Sequence, residues 1–318
     1  MSRTPTLNER AAELCRTELA RSAELRLELH AEPGQPLLVD AGIKARGGLG
    51  AGLLLARAAM AGLGEVRVVP WHASGWGGPA IAVYTDHPLL ACMCAQYAGW
   101  RIAHGKYFAM GSGPMRALAA QEALFGRLGY TETSQVAVGV LETPELPPAE
   151  VAGQIAAACR VEPHRLTLLA ARTASQAGTV QVAARAVETA MHKLFELGFD
   201  LSRVESGFGV APLPPVARDD LTAICRTNDA VLYGGEVTLW LRAEDDELAA
   251  LAARLPSSAS PAHGRPFLEL FAEAGHDFYR MDPHLFSPAV VRLCNLQSGR
   301  SVCRGELRLD VLERSFQA

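Results

Sequence analysis

Residues Leu166 to His192 read LTLLAARTASQAGTVQVAARAVETAMH. The first six, Leu166 to Ala171, are apolar except for Thr167 and of strand length. After Gly178 the pattern turns helical, apolar on one side and polar on the other. Gln181, Arg185, Glu188 and His192 follow at steps of four, three and four, which stacks them on one helix face. Arg185 and Glu188 are then neighbours, and a guanidinium beside a carboxylate keeps it ionised and orients it. Such spacing most often marks an ordinary ion pair on a solvated face. The rest of the chain gives it more weight.

Apolar strand, glycine, helix is also the rhythm on either side. Leu37 to Ala41 reads as a strand, followed by Gly47-Gly48-Leu49-Gly50-Ala51-Gly52 and a helix from Leu53 to Ala61. Glu65–Trp71, Ala80–Thr85 and Gln135–Leu141 read as strands, and residues 7–29 as a helix. Asp86-His87-Pro88 opens a helix to Ala98, with Asp86 as N-cap. Gly111 to Pro114 is a turn before a helix reaching Leu128. Ala230 to Leu241 gives two strand-like pieces around Gly234-Gly235, and helices follow near 246–255, 266–274 and 310–316, with a strand near 289–296. Alternating strands and helices predict α/β layers. The chain has 318 residues, 49% of them hydrophobic, enough for two domains, and Thr143-Pro144-Glu145-Leu146-Pro147-Pro148 is the best linker between them.

Composition excludes several classes. The net charge of −4, the absence of any run of five like charges and 6% aromatics leave no footprint for nucleic acid. No stretch approaches eighteen uninterrupted apolar residues, and the start of the chain is a charged amphipathic pattern, so neither a membrane span nor a signal peptide is expected. Seven scattered cysteines without a CxxC read as reduced thiols in a cytoplasm. Familiar motifs do not close. Leu53 stands where GxGxxG needs its last glycine, the Gly99 to Lys106 loop is too long for a phosphate loop, and GxSxG and HExxH are absent. The nine histidines are spread singly, so no metal site is expected.

Taken together, Asp40-Ala41-Gly42-Ile43-Lys44, Thr85-Asp86-His87-Pro88, Tyr107 to Pro114, Gly178-Thr179-Val180-Gln181 with Ala184 to Thr189, Arg226 to Ala230 with Leu232 to Gly235, and Asp277-Phe278-Tyr279 resemble the methenyltetrahydromethanopterin cyclohydrolase family. The resemblance runs in family order from about Leu7 to Phe316. It implies an α/β fold of two mixed lobes enclosing a deep pocket, drawn here as 1–143 and 144–318 with possible exchange of segments. It implies hydrolysis of a cationic methenyl bridge on a reduced pterin to a formyl group, with no metal or organic cofactor, by a homo-oligomer, typically a trimer. By the RxxET motif, Glu188 aligns with the family's essential glutamate and Arg185 with its partner. The family usually has Pro where this chain has Arg172 and Gly where it has Cys225.

The chemistry of those residue types agrees. A carbon shared by two nitrogens that carry a positive charge is already electrophilic. An ionised carboxylate can place a water, take its proton and face the cation. Glu188 suits that role, with Arg185 orienting it. Further candidates for holding substrate are Asp86 and His87 at a strand-to-helix junction, the backbone N–H groups of Gly111, Ser112 and Gly113, and Gln181. Asn228 and Asp229 are candidates for the pterin's amide edge, Lys106 and Arg226 for a polar or anionic tail. His192 is a candidate relay. Two other classes compete: a non-catalytic binder of the same one-carbon carrier, which has no need of a base, and a nucleotide-binding α/β enzyme, which the broken glycine motifs disfavour.

Overall fold

The structure, a computed structural model, describes residues 4–73 and 76–317. Its strands, in chain order, are β1 Glu28–His30, β2 Leu37–Gly42, β3 Glu65–Ala73, β4 Trp76–Thr85, β5 Trp100–His104, β6 Tyr107–Ser112, β7 Ala137–Glu142, β8 Leu166–Ala171, β9 Val204–Pro212, β10 Glu236–Leu241, β11 Val290–Asn295 and β12 Ser301–Gly305. They form two six-stranded mixed sheets, so the chain is α/β as its alternating pattern requires.

The chain divides into two compact units. One holds the described residues up to 64 together with 90–181, the other 65–89 with 182–317. Segment 144–181, assigned from sequence to the second lobe, supplies β8 to the first sheet, and β3 and β4 belong to the second. Strand pairing decides this: β8 lies parallel between β2 and β7, a partnership that no local signal encodes.

In the first unit the order is β1-β2-β8-β7-β6-β5. Val39, Val138, Val140 and Leu169 face Leu54, Leu55 and Ala58 of the Leu49–Ala59 helix and Ala11 and Cys15 of the Leu7–Leu19 helix. Leu141, Leu168 and Ala170 face Val151, Ile155 and Ala156 of the Ala149–Ala158 helix. A sheet covered on both faces explains why its central strands read as near-continuous apolar runs, interrupted by Asp40 and Thr167.

In the second unit the order is β12-β11-β10-β9-β4-β3. The Ala186–Glu196 and Asp220–Gly234 helices cover one face. Gly207 and Gly209 on β9 let the first of these approach closely: a Cβ at Gly207 would lie 2.6 Å from Val187 Cγ1. Tyr84 and Phe208, paired across β4 and β9, are exposed.

Several elements differ from their sequence reading. The first helix ends at Leu19, and Leu27 onward turns into β1 after Arg26 takes a left-handed conformation (φ 55°). The helix expected after Pro88 is wound as a π-helix over Leu89–Gln96, with Tyr97 N–H donating to Cys92 O at 2.8 Å. The fully buried Arg116 guanidinium donates to Met93 O and Ala95 O, which satisfies carbonyls at its C-terminal end. Ala230 to Gly234, read from sequence as strand-like, is the end of a helix over Asp220–Gly234: Asp219 caps its start through Thr222 N–H, and Ala223, Thr227, Ala230, Val231 and Gly234 are among its buried residues. Val231 and Tyr233 favour strands by type, but burial at helical spacing outweighs that preference.

Candidate active site

The stretch from Gln176 to Glu196 is two helices. One covers Gln176–Ala183, the chain turns at Ala184 and Arg185, and a second runs Ala186–Glu196. Arg185 N–H donates to Val182 O at 3.0 Å, and Arg185 (φ −93°, ψ 7°) becomes the N-cap of the second helix. No Gly or Pro marks this break. Its effect is chemical. Glu188 moves from mid-helix to the first turn, where unsatisfied N–H groups and the helix dipole favour a carboxylate.

Arg185 and Glu188 remain neighbours, with Nη1 and Oε2 3.6 Å apart. They are only 8% and 6% exposed, so this is not the solvated pair that the spacing alone suggests. Thr189 donates both its N–H and its hydroxyl to Arg185 O at 2.8 Å, which fixes the backbone between the two side chains. Ala186 and Val187 meanwhile seat the helix start against Gly207 and Gly209.

The other sequence candidates scatter. Gln181 lies on the preceding helix, and its Nε2 donates to Glu142 Oε2 at 3.3 Å. His192 Nε2 lies 3.8 Å from Glu196 Oε1, one turn further along its own helix. Asp86 and His87 are exposed at the end of β4. Asp86 accepts from Ser206 Oγ at 2.7 Å and borders a shallow depression of about 470 Å³ that Tyr84, Phe208, Trp240 and Leu296 also line. Lys106 is exposed at the tip of the β5–β6 hairpin. Gly111, Ser112 and Gly113 are buried. Gly113 (φ 91°) donates its N–H to Ala95 O at 2.9 Å, a bond within the fold. Arg226 Nη1 donates to Pro215 O, and Asn228 Nδ2 donates to Ile224 O within their helix.

Asp229 is fully buried, and its Oδ1 accepts from Phe267 N–H at 2.9 Å. Burial pushes its carboxyl up to about 7. Cys225 is buried too, and desolvation pushes its thiol to about 12.

Among the described residues, Glu28, His30 and Asp40 are spaced for a metal ion. Asp40, however, accepts the backbone N–H groups of Gly42, Ile43, Lys44 and Ala45, two on each oxygen. Burial opposes its ionisation, yet those four donors hold the carboxyl below its usual value. The group is a turn clamp with its lone pairs in use.

Glu142 was not singled out from sequence. It closes β7, is half-buried, and accepts from Thr173 Oγ1 as well as from Gln181. The available signal was its place at the end of an apolar strand just before the proline-rich link, the side of an α/β sheet where ligands bind.

A buried Arg–Glu pair at a helix start, on a mixed α/β scaffold, carries the RxxET motif. The profile of the cyclohydrolase (MCH) family matches residues 6–316. The chain belongs to that family. It is therefore an enzyme, a hydrolase acting on C–N bonds. Among its cyclohydrolase relatives, the methenyltetrahydromethanopterin cyclohydrolase of Rhodopirellula baltica is 48% identical over 284 residues, 88% of this chain and 85% of the relative. That of Xanthobacter autotrophicus is 48% identical over 300 residues, 94% and 89% of the two chains. That of Methylobacillus flagellatus is 43% identical over 316 residues, 98% and 95% of the two. No helix among the described residues is long and apolar enough to cross a membrane.

Proposed function

We propose that this cyclohydrolase interconverts methenyl- and formyl-tetrahydromethanopterin, the carrier named for its relatives, with Glu188 as general base. The observation that carries the reading is the buried Arg185–Glu188 pair with its carboxylate in the first turn of a helix. Glu188 positions a water against the cationic methenyl carbon and takes its proton as the C–O bond forms. The adduct collapses by breaking one C–N bond. That nitrogen gains a proton, and the other nitrogen keeps the formyl group. Arg185 orients Glu188 through their contact and sets its charge; it has no reason to approach the substrate cation, which it repels.

The pterin is the substrate, and no metal or organic cofactor takes part. The electrophile carries its own charge, so a Lewis acid has nothing to add. Dialysis against a chelator should leave the rate unchanged. The enzyme works in the cytoplasm of a one-carbon pathway, in the formyl direction where formaldehyde is oxidised. It assembles as a homotrimer; the exposed Tyr84 and Phe208 on the second sheet are the kind of apolar surface that a second copy covers.

The test is decay of methenyl-tetrahydromethanopterin absorbance, beside the tetrahydrofolate analogue and the Glu188→Gln variant. Rapid loss with the first substrate, absent in the variant while fluorescence still reports binding, is the expected result. A variant as fast as the native protein would sink the mechanism, and binding without turnover in the native protein would make it a carrier-binding protein.

A further inference from the structure

Resting on the reading of Glu188 as the base, we propose that His192 and Glu196 carry the proton taken by Glu188 out to solvent, as a relay along one face of the Ala186–Glu196 helix. The charge balance of the reaction creates the need. A methenyl cation and a neutral water give a neutral formyl product, so one proton is released in each turnover. Of the two protons that water brings, one ends on the nitrogen that leaves the bridge and the other must leave the protein. Glu188 cannot act as base again until it has lost the proton it took. Its side chain is only 8% exposed, so bulk water reaches it poorly.

The helix supplies a path. Glu188, His192 and Glu196 follow at steps of four within one continuous helix, which puts them on one face with successive Cβ atoms about 5–6 Å apart. Side chains on a helix tilt toward its N-terminus, so Glu196 leans toward His192 and His192 toward Glu188. His192 Nε2 and Glu196 Oε1 lie 3.8 Å apart. Side-chain exposure rises along the row, from 8% at Glu188 to 20% at His192 and 33% at Glu196, so the row leads from the interior to water.

The residue types suit that order. Arg185, 3.6 Å from Glu188 Oε2, favours the ionised carboxylate and so drives the proton onward. The proton passes from Glu188 to Nδ1 of the neutral His192 ring, directly or across one water. Imidazole gains and loses a proton near neutral pH, so neither transfer runs far uphill. The Glu196 carboxylate stabilises the imidazolium, whose Nε2 proton then goes to Glu196 and to water. Rotation of the partly exposed ring resets the tautomer. In the reverse reaction the same groups return a proton to Glu188.

The experiment measures kcat and KM for methenyl-tetrahydromethanopterin in dilute buffer near neutral pH, with the native protein, His192→Ala, Glu196→Gln and Glu188→Gln. For His192→Ala, kcat should fall about 10- to 100-fold, at or below the lower end for a positioned proton-transfer group, with KM within about twofold of native. Added imidazole should restore the rate of His192→Ala and leave the native rate unchanged. Glu196→Gln should lose about 3- to 10-fold in kcat, and a native rate there overturns the second transfer. A kcat of His192→Ala within about twofold of native, or a loss that imidazole does not restore, overturns the proposal; the second pattern is that of a contact which only supports the helix. If His192→Ala lacks the native circular dichroism spectrum, His192→Gln takes its place. Its rate should rise with buffer concentration, and a rate flat in buffer overturns the proposal. Glu188→Gln separates the two readings. If it is as fast as the native protein, the base reading has failed; if it is inactive beside a fully active His192→Ala, the relay alone has failed.

Discussion

Replacing Arg185 by alanine tests the electrostatics of the site most directly. Nη1 of Arg185 and Oε2 of Glu188 lie 3.6 Å apart. With an effective dielectric of about 20, opposite unit charges at that separation attract by about 5 kcal/mol. The helix start returns up to about 1 kcal/mol to the remaining carboxylate. Removing one partner of a buried pair generally costs about 3–5 kcal/mol, because the other charge stays desolvated. Arg185→Ala should therefore lower the unfolding free energy by about 3–5 kcal/mol. Glu188→Ala should lower it comparably. The double variant should lose much less than the sum, giving a coupling energy of about 2–3 kcal/mol, at the upper end of that measured between contacting residues. The assay is urea titration followed by tryptophan fluorescence, with all four proteins at one concentration so that assembly does not shift the midpoints. A coupling energy below about 1 kcal/mol is the value of an exposed ion pair and would refute the claim that burial makes this pair strong. Activity provides a second reading. Arg185→Ala should lose most turnover, and Arg185→Lys should recover only part, because an ammonium does not reproduce the planar fork.

Other outcomes follow from the same geometry. Gly207→Ala would place a methyl 2.6 Å from Val187 Cγ1, so the helix carrying Glu188 must shift; stability should fall by about 1–3 kcal/mol, with kcat falling alongside, and a fully active variant of native melting temperature would contradict the close-approach argument. Asp229, raised to about 7 by burial, favours its protonated form in the folded state, so the stability linked to it is complete below about pH 4 and is lost as pH rises through 7. Asp229→Asn, which keeps an acceptor for Phe267 N–H, should melt above the native protein at pH 8 by up to about 4 kcal/mol of stability, with the gap closing below pH 4; a gap independent of pH would show that Asp229 does not titrate there. Burial holds the thiols of Cys15, Cys94, Cys159 and Cys225 protonated, each pushed to about 12. Alkylation of the native protein should thus label the exposed Cys303 first and those four only after denaturation, and early labelling of any of the four would contradict their burial.

The apolar runs Leu37–Ala41, Gln135–Leu141 and Leu166–Ala171 were legible as strands because a sheet covered on both faces leaves no polar alternation. The late helices and β11 were legible by period, close to the bounds read from sequence. Ala230 to Gly234 was not, because Val231, Leu232 and Tyr233 satisfy an apolar strand template over a short window, while only contact with the Phe267–Glu273 and Leu309–Gln317 helices reveals the helical period.

By itself the sequence determined the α/β class, the family through its ordered motifs, and the adjacency of Arg185 and Glu188, since three residues of spacing brings two side chains together whether a helix continues or begins there. Tertiary structure decided which segments share a sheet, that the pair is buried, and that the helix restarts at Arg185 so that Glu188 sits at its positive end. It also decided that Gln181 meets Glu142, 39 residues away. The reason is the same in each case: local propensity acts over a turn or two, whereas burial, strand partnership and the close approach of Val187 to Gly207 depend on residues that only folding brings together.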